Sequence, residues 1–195
     1  MAPLSFRQTL GQAPLTATTN DSALVIIDAQ NEYAEGKLAV ADVKSSRAAI
    51  GSLLSAYRAA GGRIVHVVHQ VPAGAPVFTP DTPLASEFEE LAIKSGAENE
   101  VLIQKNFPGS FTKTNLDETL KGWGVNKVVL AGYMAHVCVS TTAREAYQAG
   151  YEVVLARDAI GDRDIPGVGG AELTKTVLLE LDDCFGTVVG SKDIK

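Results

Sequence analysis

The sequence predicts a three-layer α/β fold in which helices cover both faces of a six-stranded, mostly parallel sheet. Three observations lead there. Six short runs rich in apolar and β-branched residues punctuate the 195 residues, at 23–28, 63–69, 101–104, 127–131, 151–156 and 185–189. Most are continuously apolar rather than alternating, which is the pattern of strands buried on both faces. Segments with helical spacing separate several of them, long enough for right-handed strand–helix–strand crossovers.

The elements follow in order. Residues 1–20 are polar and aperiodic and are expected as an arm ahead of one domain spanning 21–195. The first strand, Leu24-Val-Ile-Ile-Asp28, closes on a carboxylate. A helix over 43–60 places Val43, Ile50, Leu53, Leu54 and Tyr57 on one side and stops at Gly61-Gly62, a C-cap signal. After the second strand a Pro-rich excursion, 71–83, precedes a short helix at 84–91 and is positioned to overhang a site. The third strand closes on Lys105, and the fourth leads into a helix over 137–149 that ends at Gly150. A last helix, 173–181, spaces Leu173, Val177, Leu178 and Leu181 along one face before the sixth strand.

Composition narrows the function classes. Hydrophobic residues make up 46% and charged residues 21%, an ordinary globular balance. A net charge of -6 argues against nucleic acid as the main partner, since phosphate binding needs clustered Lys and Arg. No apolar run approaches the roughly 20 residues needed to cross a bilayer, so no membrane partner is expected. The first ten residues lack the apolar core of a signal peptide, so a cytoplasmic location is expected, with secretion by another route left open. Asn20-Asp21-Ser22 fits a glycosylation sequon that matters only outside the cell. The two cysteines, Cys138 and Cys184, form neither a metal-ligand spacing nor a disulfide framework.

In an open parallel sheet, ligands bind beyond the carboxyl ends of the strands. Asp28, Lys105 and Cys138 all fall at or just after such ends. Cys138 stands where a strand gives way to a helix, and free N–H groups with the helix dipole favour a thiolate there. Such a trio suits covalent acyl transfer. Asp28 takes the thiol proton, Lys105 stabilises the charges, the sulfur attacks a carbonyl, and backbone N–H groups receive the oxyanion. Each residue also has a plain structural reading: a turn-forming Asp, a solvated Lys, a small buried thiol.

Three stretches carry a resemblance. Ile26-Ile-Asp28-Ala-Gln30, Lys105-Asn-Phe-Pro-Gly-Ser-Phe111, and Gly132-Tyr-Met-Ala-His-Val-Cys138-Val with Thr142-Ala-Arg-Glu-Ala146 resemble the isochorismatase-like cysteine hydrolases. The resemblance runs from about residue 23 to the C-terminus. It implies a Rossmann-like six-stranded sheet, a catalytic triad of Asp28, Lys105 and Cys138, and a cis peptide before Met134 whose N–H joins that of Cys138 in an oxyanion hole. Gln30, Tyr33, Phe111 and His136 are the expected substrate-pocket residues. The implied partner is a small-molecule substrate, with no cofactor, and homo-oligomers (dimers or tetramers) are common in the family. Where the family commonly has Thr-Asp, this chain has Ala135-His136. A metal cluster known from the nicotinamidase branch is not expected, because His66 and His69, three apart on a strand, point to opposite faces. Asp158 is expected to hold a loop and Cys184 to be structural.

The leading expectation is hydrolysis of a C–N bond of a small amide through a Cys138 thioester. The alternative is isochorismate hydrolysis, a vinyl ether cleavage in which Asp28 is the acid and no sulfur nucleophile is needed. A non-catalytic binding protein on the same scaffold is a third reading. No Gly-x-Gly-x-x-Gly follows the first strand, so dinucleotide binding is disfavoured.

Overall fold

Strand order places the fourth strand beside the first, and that single fact locates the site. The computed structural model describes residues 3–94 and 96–195. In chain order the elements are α1 (Phe6–Thr9), β1 (Ala23–Ile27), α2 (Glu32–Glu35), α3 (Val43–Ala60), β2 (Arg63–His69), β3 (Glu100–Lys105), α4 (Leu116–Gly122), β4 (Lys127–Gly132), α5 (Ser140–Gln148), β5 (Glu152–Ile160), α6 (Gly170–Cys184) and β6 (Thr187–Val189). The sheet runs β3-β2-β1-β4-β5-β6, with every pairing parallel. The chain therefore builds outward from β1 to β3, returns to the other side of β1, and builds outward again. The crevice where the order reverses, between β1 and β4, is the usual ligand site of such sheets.

All five residues of β1 are buried because each face has its own core. Leu24 and Ile26 join Ile50, Leu54 and Tyr57 of α3. Ala23, Val25 and Ile27 join Leu120 of α4, Ala143 and Ala146 of α5, and Leu178 and Leu181 of α6. Gly132 lets β4 leave the sheet beside β1: its φ is +116°, and a Cβ there would stand 2.0 Å from the Ile27 carbonyl oxygen. No other residue type tolerates that approach.

Several expected boundaries shift for visible reasons. β5 runs to Ile160, past the expected end at 156, after a register irregularity opposite Leu130 and Gly132. The short helix expected at 84–91 is two separate 3-10 turns, Pro83–Ala85 and Glu89–Leu91. The helix α4 shows no signal in the sequence, since seven residues are too few to display a period. In the expected arm, Met1 and Ala2 lie outside the described residues. The remainder is docked: Ser5 closes a capping box on α1, Arg7 is buried against Gly186 O and Thr187, and the Phe6 N–H donates to Asp183. No helix among the described residues is long and apolar enough to cross a membrane.

Candidate active site

Three buried groups from three elements meet at the carboxyl edge of the sheet. Asp28 follows β1 in a left-handed backbone conformation (φ +49°), which non-glycine residues adopt uncommonly and Asp more readily than most. Its N–H donates to Val67 O and its carbonyl accepts from the Gln30 N–H, so the backbone holds the turn. Lys105 ends β3, two strands away. Its long side chain reaches back across β2 to put Nζ 2.7 Å from Asp28 Oδ2, and Nζ also donates to Phe107 O at 3.1 Å. Both side chains are fully buried. Cys138 lies in a single π-helical turn, Ala135–Val139, between β4 and α5, and is also buried.

Electrostatics in this enclosure depart from the sequence expectation. Burial pushes the Asp28 carboxyl above its ordinary range, with the Lys105 charge opposing. Burial, then the negative charge of Asp28, push the Cys138 thiol up as well, again against Lys105. The expected thiolate at a helix start is thus corrected. Desolvation and the neighbouring carboxyl both work against the thiolate that a helix terminus would favour. Neither Asp28 oxygen has a well-aligned hydrogen-bond donor among the described residues, so the carboxylate is held by charge.

The loop that carries Cys138 is fixed from below. The Tyr133–Met134 peptide is cis. The Ala135 N–H donates to Gly161 O, and the Met134 carbonyl accepts from Val137 and Val139. The Met134 N–H takes no part in the backbone hydrogen bonds of the described residues. His136 lies beside the site, but both its N–H and its Nδ1 bind Asp162 Oδ2, at 2.8 and 2.7 Å. Asp162, fully buried and unremarked in the sequence, is therefore the loop's anchor.

The other expected pocket residues divide. Tyr33 is brought to the site, packed edge-on against Phe78 at 5.2 Å. Burial and then the neighbouring Cys138 and Asp28 push its phenol up. Gln30 stands at the same edge, but its amide is spent on the His69 backbone and Ala85 O. Phe111 is not brought to the site. Its N–H is held by Glu145, and its ring packs on Tyr151 at 5.6 Å, at the amino end of β5. The intervening Gly109 explains why: a Cβ there would strike the Glu145 carboxylate, so the loop lies flat on α5. His66 faces carboxylates, with Nδ1 2.7 Å from Glu87 and Nε2 3.1 Å from Glu100, while His69 faces the site. Asp158 accepts from the Ser191 N–H and hydroxyl and so holds the last turn, and Cys184 is a half-buried free thiol. Phe78 and Glu32 complete the wall without having shown a signal in the sequence. Glu32 is buried, and its carboxylate accepts from the Lys37, Leu38 and Phe78 N–H groups, tying the Pro-rich excursion down over Tyr33. A groove of about 430 Å³ beside α6, lined by Arg157, Thr174, Leu178 and Val188, includes none of these residues.

A doubly covered parallel sheet with a carboxylate, an ammonium and a thiol closed into its switch point defines a hydrolase of the α/β class. The Isochorismatase domain model matches residues 22–193, and the chain belongs to the isochorismatase family. It is 59% identical over 190 residues to the secreted isochorismatase effector Isc1 of Verticillium dahliae, covering 97% of this chain and 98% of that one. An isochorismatase structure from Pseudomonas putida KT2440 superposes with a TM-score of 0.94 at 31% identity over the whole of both chains. A streptothricin hydrolase of Streptomyces noursei is 34% identical over 148 residues, 76% of this chain and 57% of that protein. The Verticillium protein also corrects the cytoplasmic expectation. A relative this similar along nearly its full length is secreted, and the signal-peptide pattern on which that expectation rested marks only one route out of a cell.

Proposed function

We propose that this hydrolase cleaves the vinyl ether of isochorismate outside the cell, with Asp28 as the acid. The single observation that carries this reading is the likeness to the Verticillium dahliae isochorismatase effector over nearly the whole chain. The chemistry of the site agrees with it. Asp28, pushed up by burial, transfers a proton to the terminal methylene carbon of the enolpyruvyl group. Water adds to the resulting oxocarbenium carbon and returns a proton to Asp28, and the hemiketal collapses to pyruvate and the ring alcohol. Lys105 stabilises the carboxylate left once that proton is given up, and no sulfur–carbon bond is required.

A second reading keeps the expected amide chemistry, and the retained Cys138 favours it. In that route the thiol proton passes to Asp28 and sulfur adds to the amide carbonyl, with the oxyanion facing the Met134 and Cys138 N–H groups. The amine leaves with the Asp28 proton, and water hydrolyses the thioester. Pyruvate release from isochorismate, followed by coupled lactate dehydrogenase, separates the two. Under the first reading D28N loses about a thousandfold or more, the scale of a lost acid–base group together with its charge, while C138A stays within about tenfold of the wild type. Loss of pyruvate release in C138A, with an acyl adduct on Cys138 in the wild-type protein exposed to amides, would establish the thioester route instead.

A further inference from the structure

His69 ends β2 in register with Lys105 of β3, so the two side chains leave the sheet on the same side, toward Asp28. Its Nδ1 is buried and has no partner among the described residues. The surroundings give that nitrogen no freedom to find one. The Gln30 side chain brackets the His69 peptide, Oε1 accepting from its N–H at 2.8 Å and Nε2 donating to its carbonyl at 3.1 Å. The ring lies on Phe78, with centroids 5.3 Å apart, and Glu32 holds Phe78 in place through its N–H. A buried polar atom left unpaired costs stability. Here three separate contacts hold it in that condition at the mouth of a reaction centre.

We infer that His69 is a substrate-binding residue whose Nδ1 donates a hydrogen bond to a substrate carboxylate next to the scissile bond. This rests on Asp28 and Cys138 marking the reaction centre. The choice of a carboxylate follows from the wall. Burial pushes the His69 ring below its ordinary value, with Asp28 opposing and Lys105 adding, so a neutral imidazole brings one N–H that either nitrogen can carry. Its neighbour Lys105 is also a donor. Asp28, the acceptor on this side, is already paired with Lys105. Two donors beside a committed acceptor form a seat for an anionic oxygen.

The test compares wild type with H69F, which keeps the ring packing on Phe78 without a nitrogen, and H69N, whose amide reaches the place of Nδ1. With isochorismate, kcat/KM falls roughly 10- to 100-fold in H69F, the scale of one hydrogen bond to a charged group, mainly through KM, and H69N recovers most of the loss. Wild-type kinetics in H69F, or H69N as impaired as H69F, would overturn the inference. If the wild-type protein does not release pyruvate from isochorismate, the substrate reading fails and His69 is judged by alkylation. Iodoacetate and iodoacetamide differ in carrying a carboxylate or an amide, and their rate ratio at Cys138 is taken relative to that at Cys184. A ratio that drops several-fold in H69F supports the carboxylate seat, and an unchanged ratio refutes it.

Discussion

Replacing Lys105 by Met removes the ammonium while keeping most of the buried stem, and its consequence is pH-dependent in a calculable way. At 2.7 Å the Lys105–Asp28 attraction is about 6 kcal/mol for an effective dielectric near 20. Without it, a fully buried carboxylate has no compensating charge, which costs about 3–5 kcal/mol if it stays ionised. Burial already raises Asp28, so without the Lys105 charge the variant's carboxyl rises further and favours its protonated form. The sign follows from linkage. A folded-state value above the unfolded value means that stability is present at low pH and declines as pH rises. The slope is about 1.4 kcal/mol per unit between the two values. Where K105M binds that proton and wild type does not, the variant loses about 1.4 kcal/mol more per pH unit as pH rises, or roughly 3–6 °C of melting temperature for a domain of this size. Melting followed by fluorescence of Trp123, the chain's one tryptophan, reads this directly. The double variant K105M/D28N removes the slope and recovers stability while remaining inactive. A melting offset equal at pH 5 and pH 7, or no recovery in the double variant, would refute the buried-pair account.

Three further outcomes follow. Burial raises Glu100, but Arg58 and the Lys94 N–H lower it further, so its net position is below the ordinary range. Its contribution is present above the unfolded value and disappears as pH falls through the folded one, so E100Q flattens the acid limb of the melting profile. G132A fails to accumulate as folded protein or loses more than about 4 kcal/mol, because the added Cβ meets the Ile27 carbonyl, whereas G51A, in the open interior of α3, gains about 0.5–1 kcal/mol in urea titration. Because burial pushes the Cys138 thiol up, its iodoacetamide labelling accelerates about tenfold per pH unit from pH 7 through pH 9 without levelling. A plateau near neutrality would show that a thiolate already rests there.

What was legible in the sequence is what depends on local pattern. The strand runs, the capped helix α3 and the strand-end placement of Asp28 and Lys105 follow from periodicity and from where apolar runs stop. The contacts that fix the site do not. Asp162 anchors the Cys138 loop from the far end of β5, and Glu32 anchors Phe78 from 46 residues away. Neither spacing carries a signal, because the pairing exists only after the sheet forms. Phe111 stands only six residues beyond Lys105, yet Gly109 lays the loop flat on α5 and turns the ring away from the site. The thiol departs from the sequence expectation for a physical reason. A helix terminus can be read from sequence, but the depth at which the turn carrying Cys138 is buried cannot, and depth decides the sign.

The two reactions proposed for this enclosure share Asp28 as the residue through which the proton moves. In amide cleavage Asp28 first receives the thiol proton and then gives it to the amine. In vinyl ether cleavage it first gives a proton to carbon and recovers one from water. Burial disfavours both the carboxylate and the thiolate, and the two cycles start from different protonation states of Asp28, ionised for the thiol route and protonated for the vinyl ether. Under the two readings proposed, the wall that presents the substrate decides which group reaches Asp28. In this chain the wall is Tyr33, Phe78 and the fixed ring of His69. An anionic enolpyruvyl group seated on His69 brings its methylene carbon, rather than a carbonyl, to Asp28. Under these readings, specificity in this chain rests on which atom the wall delivers to Asp28.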